Sequence, residues 1–110
     1  MHTKARGDIA EKQALTYLKK SGFKIITTNY FAKKLGEIDI IATKSGTYHF
    51  IEVKSGVGFD PVYNITQSKL HKMIKSTQLY LKQNAIRGDF CLDAIIIRNG
   101  DLEYIHNITL

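Results

Sequence analysis

Gly36-Glu37-Ile38-Asp39-Ile40-Ile41-Ala42, followed after a short turn by Phe50-Ile51-Glu52-Val53-Lys54, decides how this chain is read. Isoleucine and valine dominate both stretches, as in strands half buried on a sheet. Each nevertheless carries charge in its middle, where burial costs a purely structural strand stability. Lys44-Ser45-Gly46-Thr47 between them is turn chemistry, with Gly46 free to take positive φ. A two-residue loop at Ser45-Gly46 sets Thr43 opposite Tyr48, Ile41 opposite Phe50, Asp39 opposite Glu52 and Glu37 opposite Lys54. Alternation then gathers Glu37, Asp39, Glu52 and Lys54 on one face, leaving Ile38, Ile40, Ala42, His49, Ile51 and Val53 on the other. Opposed β-carbons lie ~4.5–5.5 Å apart, where like charges repel. Two carboxylates so placed need a proton or a cation between them, and a divalent metal is the simplest occupant.

Magnesium takes near-octahedral oxygen ligation and keeps several waters, so it commonly binds through one or two carboxylates plus a phosphate oxygen. Asp39 and Glu52, with the backbone carbonyl of Val53 as a third oxygen, make such a half-shell for Mg2+ or Mn2+. Lys54, two residues from Glu52 on the same face, is placed to hold an attacking water or to stabilise charge developing on a phosphoryl group. The competing reading is a set of cross-strand ion pairs on a solvated face. Against it stand the opposed carboxylates, their isoleucine-rich flanks and the basic character of the whole chain. Register is the sensitive step, because a one-residue slip turns one strand's charges to the other face.

The 110 residues suffice for one domain spanning 1–110 with one core. A formal charge of +6 and a pI near 9.5 point to a polyanionic partner, DNA before membrane, with RNA left open. No apolar run approaches the ~20 residues of a spanning helix. The N-terminal stretch has no apolar signal core, so a cytoplasmic protein is expected. The lone Cys91 has no partner for an intrachain disulfide, which suits a reducing compartment, and no His or cationic neighbour in sequence, so it reads as inert.

A stripe of Ala10, Ala14, Tyr17, Leu18 and Ser21 predicts a helix from about Ala5 to Ser21, closed by Gly22. Phe23 to Tyr30 reads as a first strand ahead of the hairpin, and Ser55 to Pro61 as a glycine-rich loop. Thr66 caps a second helix reaching about Ala85, with Leu70, Met73, Ile74, Thr77, Tyr80 and Leu81 on its apolar side. Cys91 to Ile97 and Leu102 to Ile108 are strands joined by an Asn99-Gly100 type I′ turn, a register that sets Asp93 against His106 as a structural pair. The order α-β-β-β-α-β-β predicts an α/β fold with a mixed sheet, a right-handed crossover through the second helix, and helices packed on a central hairpin. Lys69, Lys72, Lys75 and Lys82 line that helix away from its apolar face, the first three being candidate phosphate contacts.

Taken in order, Gly7-Asp8-Ile9-Ala10-Glu11, Tyr17-Leu18, Gly22-Phe23, Asn29-Tyr30, the two strand motifs above, Lys69, Tyr80-Leu81, Asp93 and Ile105-His106 resemble the bacterial YraN-type family. That family is a branch of the PD-(D/E)XK nuclease superfamily, similar in plan to archaeal Holliday-junction resolvases. The resemblance runs almost end to end and implies a restriction-endonuclease-like fold. It also implies Asp39 and Glu52 as metal ligands, Lys54 as catalytic lysine, and Glu11 as a first-helix carboxylate approaching the metal. The chain departs from the family pattern at Gly56, where an arginine usually follows the lysine, at Phe31, where a basic residue is frequent, and at Cys91-Leu92-Asp93, which replaces an Arg-Phe-Asp run. The function expected is metal-dependent endonucleolytic hydrolysis of DNA phosphodiesters, structured or junction DNA included. The alternative is a nucleic-acid-binding module of the same fold without useful turnover. A junction-cleaving role favours a homodimer, because two symmetric cuts need two sites, but no interface motif decides it.

Overall fold

The computed structural model describes residues 2–109, with side chains from residue 8 onward. Helix α1 (His2–Lys20) ends where Gly22 takes φ +91° and the Phe23 N–H turns back onto the Leu18 carbonyl at 2.9 Å. Strands β1 (Lys24–Phe31), β2 (Glu37–Lys44) and β3 (Thr47–Gly56) follow, then α2 (Gln67–Gln83), β4 (Phe90–Arg98) and β5 (Asp101–Ile105). This is the element order expected from the sequence. The five strands form one mixed sheet in the order β1-β2-β3-β4-β5. All neighbours are antiparallel except β3 and β4, which are joined through α2 and pair in parallel.

Both tight turns follow from their residues. Ser45 and Gly46 have φ of 52° and 80°, and Asn99 and Gly100 have 49° and 88°, the left-handed pair that a type I′ turn needs. Thr66 caps α2, its Oγ1 accepting the Lys69 N–H at 3.2 Å. Apolar residues then divide between the two faces of the sheet. Ala10, Ala14 and Leu18 of α1 pack with Ile40, Ala42, Ile51, Ile95 and Ile97. On the other face Met73 and Tyr80 of α2 pack with Ile38, Ile41, Phe50 and Leu92. The sheet is thus sandwiched between the two helices, with the β2–β3 hairpin beneath both.

Three expectations need correction. Ser55 and Gly56 belong to β3, not to the loop beyond it. The last strand stops at Ile105, short of Ile108, because Asn107 turns to φ +58° and its N–H is taken by the Asp93 carboxylate at 2.8 Å. Ile38 was expected to share a face with Ile40, yet it packs with Ile41 on the α2 side. Strand alternation therefore slips by one residue at Asp39. No helix among the described residues is long and apolar enough to cross a membrane.

Candidate functional site

The slip at Asp39 builds the site. Regular pairing of β2 with β3 matches the expected register from Lys44↔Thr47 as far as Ile40↔Ile51 and stops there. On the other side β1 is also irregular, Asn29 taking φ +54° between the Thr28↔Ile40 and Tyr30↔Ile38 pairs. Past Ile40 the Asp39 side chain replaces the main-chain ladder, its Oδ2 accepting the Val53 N–H at 2.8 Å. The expected Asp39–Glu52 pairing is thus the first one the ladder gives up.

In consequence the four charges do not share one face, as alternation had predicted. Asp39 lines a cleft of about 240 Å3 with Glu11, Asn29, Val53 and Ser55 on the α1 side. Glu52 and Lys54 line a cleft of about 250 Å3 on the α2 side, and Glu37 borders both. The groups still act on one another. Burial pushes the Asp39 carboxyl up to about 7, and the Glu52 charge pushes it the same way. The Val53 N–H and the Lys54 ammonium pull against them, while Glu37 adds a smaller upward push. Lys54 Nζ pairs with Glu52 Oε2 at 3.0 Å, both side chains being mostly buried, at 24% and 19% exposed.

The other predicted residues fall into place unevenly. Glu11 faces Asp39 across the α1-side cleft, held by the Asn29 side-chain amide, which donates to Glu11 Oε1 at 3.2 Å. Lys69 and Lys72 border the cleft of Glu52 and Lys54. Lys75 is exposed further along α2 and does not border it. Val53 lines the Asp39 cleft, and its N–H is the group that Asp39 engages. Three polar lining residues were not singled out as candidates, Asp8, Asn29 and Ser55. Asp8 had a signal, lying one helical turn before Glu11 on the same side of α1. Asn29 had one too, as a residue tolerant of left-handed backbone in an otherwise β-branched strand.

Gly56 has a packing reason. The Phe59 ring covers it so closely that an added Cβ would stand 2.6 Å from Phe59 Cζ. Its parallel neighbour Arg98 does not supply a free guanidinium, since Nε holds Asp60 at 2.8 Å and Nη1 holds Glu103 at 2.5 Å.

The expected pair of Asp93 and His106 is present, His106 Nδ1 lying 3.5 Å from Asp93 Oδ1. Cys91 does have a histidine beside it, His49, whose Nδ1 is 3.1 Å from the sulfur although the two are 42 residues apart in sequence. Burial and then the Asp93 charge push the thiol up to about 12, which favours its protonated form.

Residues 10–97 match the family described as "Uncharacterised protein family UPF0102". A UPF0102 protein of Wolinella succinogenes is 53% identical over 108 residues, covering 98% of this chain and 99% of its own. One from Helicobacter pylori strain HPAG1 is 54% identical over 106 residues, covering 96% and 92%. A third, from Sulfurovum, is 53% identical over 105 residues, covering 94% and 93%. The chain belongs to the UPF0102 family.

Proposed function

We propose that this UPF0102 chain is a divalent-metal-dependent nuclease with a restriction-endonuclease-like fold, hydrolysing phosphodiesters of DNA around Asp39, Glu52 and Lys54. The observation that carries this reading is Asp39. Its carboxylate is held in the split between β2 and β3, kept up to about 7 by burial and by Glu52, and anchored by the Val53 N–H. A structural ion pair has no need of a second carboxylate crowding the first, whereas two oxygen donors in partial conflict suit a hard cation. Asp39 and Glu52 line separate clefts that meet at Glu37, and would hold magnesium or manganese across the split between β2 and β3, with Val53 contributing a backbone oxygen and Glu11 approaching from α1. When bound, the ion supplies charge neutralisation at a phosphoryl group and an acidified water.

The chain's own side chains do the rest. Lys54 sits 3.0 Å from Glu52, so its ammonium is held against the metal-binding edge and oriented toward the same cleft. Beside a metal held by Glu52, the Lys54 ammonium would lie within reach of the attacking water or of the charge growing on phosphorus. Lys69 and Lys72 on the cleft wall offer two point charges to the backbone of an incoming strand. Among the described residues no base-reading module accompanies them, so recognition is of backbone and shape.

One observation favours a second reading, a nucleic-acid-binding module without turnover. Lys54 is satisfied by Glu52, and Arg98, the parallel neighbour of Gly56, is held by Asp60 and Glu103. The test compares wild type, Lys54→Ala and Asp39→Asn, purified identically and assayed with and without manganese. Substrates span duplex, flap, single-stranded and four-way-junction DNA. Manganese-dependent cleavage by wild type alone supports the nuclease. Equal trace activity in all three preparations refutes it. Tight metal-stimulated binding without cleavage leaves the binding module.

A further inference from the structure

A second constellation lies on the α1 face of the same sheet, four residues along β3 from Val53, roughly 13 Å at the usual rise per residue. His49 of β3 and Cys91 of β4 are direct partners in the parallel register, and Asp93 follows two residues later on the face that Cys91 shares. His106 arrives just beyond the end of β5. One donor atom from each of the four residues lies within 4.8 Å of all the others.

Their contacts are not those of a hydrogen-bonded relay. In a Cys-His-Asp triad the imidazole uses one nitrogen for the acid and the other for the nucleophile. Here both contacts fall on a single atom: His49 Nδ1 is 2.6 Å from Asp93 Oδ2 and 3.1 Å from Cys91 Sγ. One ring nitrogen has at most one proton to give, so it cannot shuttle a proton between the two. Convergence of sulfur, nitrogen and carboxylate oxygen on one small volume is what coordination requires. Metal–ligand bonds of ~2.0–2.3 Å in a tetrahedron place neighbouring donors ~3.3–3.6 Å apart. His49 Nδ1 stands 2.6 Å from Asp93 Oδ2 and 3.1 Å from Cys91 Sγ, and His106 Nδ1 stands 3.5 Å from the other carboxylate oxygen, Oδ1. Ligation therefore requires the shortest contact to open and the two imidazoles to settle about the carboxylate.

The surroundings agree. Asp93 is fully buried, a costly place for a carboxylate without strong compensation. The Tyr104 hydroxyl donates to its Oδ2 and the Asn107 N–H to its Oδ1, the orienting bonds that supporting residues give a metal-binding carboxylate. The Phe23 ring packs nearly perpendicular to the His49 ring, their centroids 5.0 Å apart. His106 is exposed and leaves a path for an ion to enter.

We propose that His49, Cys91, Asp93 and His106 form a tetrahedral site for zinc or a similar borderline-soft divalent ion, separate from the carboxylate cleft. The donor set contains sulfur and two imidazoles, which select zinc-class ions over magnesium. Four protein ligands leave no open position, so the ion is structural. It fastens the segment after β5 to the β3–β4 pair, where Asn107 and Ile108 already bond to Asp93 and Leu92. Binding displaces the Cys91 thiol proton, so affinity weakens as pH falls.

The test uses the full-length chain, stripped by chelator and titrated with cobalt(II), then with zinc. Wild type is expected to bind one equivalent of cobalt with intense tetrahedral d–d bands and a thiolate-to-cobalt charge-transfer band, both lost when zinc displaces it. Cys91→Ser should abolish the charge-transfer band. His106→Gln changes an exposed side chain and should leave folding intact by circular dichroism. It should weaken zinc binding by at least the ~10–100-fold typical of losing a mere supporting partner. Asp39→Asn should leave the cobalt spectrum unchanged. Absence of the bands in wild type overturns the proposal. So does a charge-transfer band that survives in Cys91→Ser, an undiminished affinity in His106→Gln, or a cobalt site that disappears with Asp39→Asn.

Discussion

Replacing Asp39 by Asn is the most informative perturbation of the carboxylate cleft, because it removes a charge and keeps a hydrogen bond. The Asn side-chain oxygen can still accept the Val53 N–H that Asp39 holds at 2.8 Å. In the unfolded chain the carboxyl ionises near its ordinary 3.8, whereas in the folded protein burial and then Glu52 keep the proton on until about 7. Between those values the native state binds more protons than the unfolded state, so stability falls as pH rises from about 4 to about 7. A displacement of about three units corresponds to ~4 kcal/mol, and water reaching the cleft reduces this to an expected ~2–4 kcal/mol. Measured with chelator present, the wild-type melting temperature should decline across that window while Asp39→Asn stays nearly level. Near pH 8 the variant should melt roughly 10 °C higher, and the two curves should meet near pH 4. Adding magnesium should then raise wild type by mass action and leave the variant unmoved. A variant that is no more stable at pH 8, or more stable by the same amount at every pH, would refute the claim that Asp39 carries a strained charge. Equal magnesium stabilisation of both proteins would remove Asp39 from the metal site.

Lys54→Ala should leave manganese affinity unchanged or tighter in calorimetry, since a cation leaves the ion's neighbourhood, while cleavage falls by about 100-fold or more. Lys69→Ala with Lys72→Ala should reduce the slope of log affinity against log salt by ~1.8 on duplex DNA, at ~0.9 per lost phosphate contact. Lys75→Ala, away from the cleft, should not change that slope in the same fluorescence titration. Thr66→Ala deletes the cap on the Lys69 N–H and should cost about 1 kcal/mol in urea unfolding.

What was legible in the sequence follows from how each contact is made. Ser45-Gly46 and Asn99-Gly100 announce their turns, and a two-residue turn dictates antiparallel register, so Ile41↔Phe50 and the approach of Asp93 to His106 could be read directly. The slip at Asp39 could not. It coincides with left-handed backbone at Asn29 in the neighbouring strand and with a side chain taking over from the ladder, neither of which periodicity records. The pairing of His49 with Cys91 was hidden for a different reason. β3 and β4 are parallel and joined through α2, so no turn sets their register; it is set by how α2 packs back onto the sheet.

The same distinction orders the chemistry. Where β2 parts from β3, the donors are carboxylates, crowded and half open, with lysines beside them. Where β3 and β4 run in unbroken register, the donors include imidazole and sulfur, closed in by Phe23 and Tyr104. A split strand pair admits water and a large anionic substrate, which suits a hard ion that keeps part of its hydration. A continuous pair keeps His49 and Asp93 buried and leaves His106 at the surface, which suits a softer ion bound wholly by protein. On the two proposals above, one sheet would offer two cation environments of opposite selectivity. A single competition, magnesium against zinc in wild type, Asp39→Asn and His106→Gln, should resolve them as independent: each substitution should weaken one ion and leave the other within about twofold, as expected for sites that share no ligand.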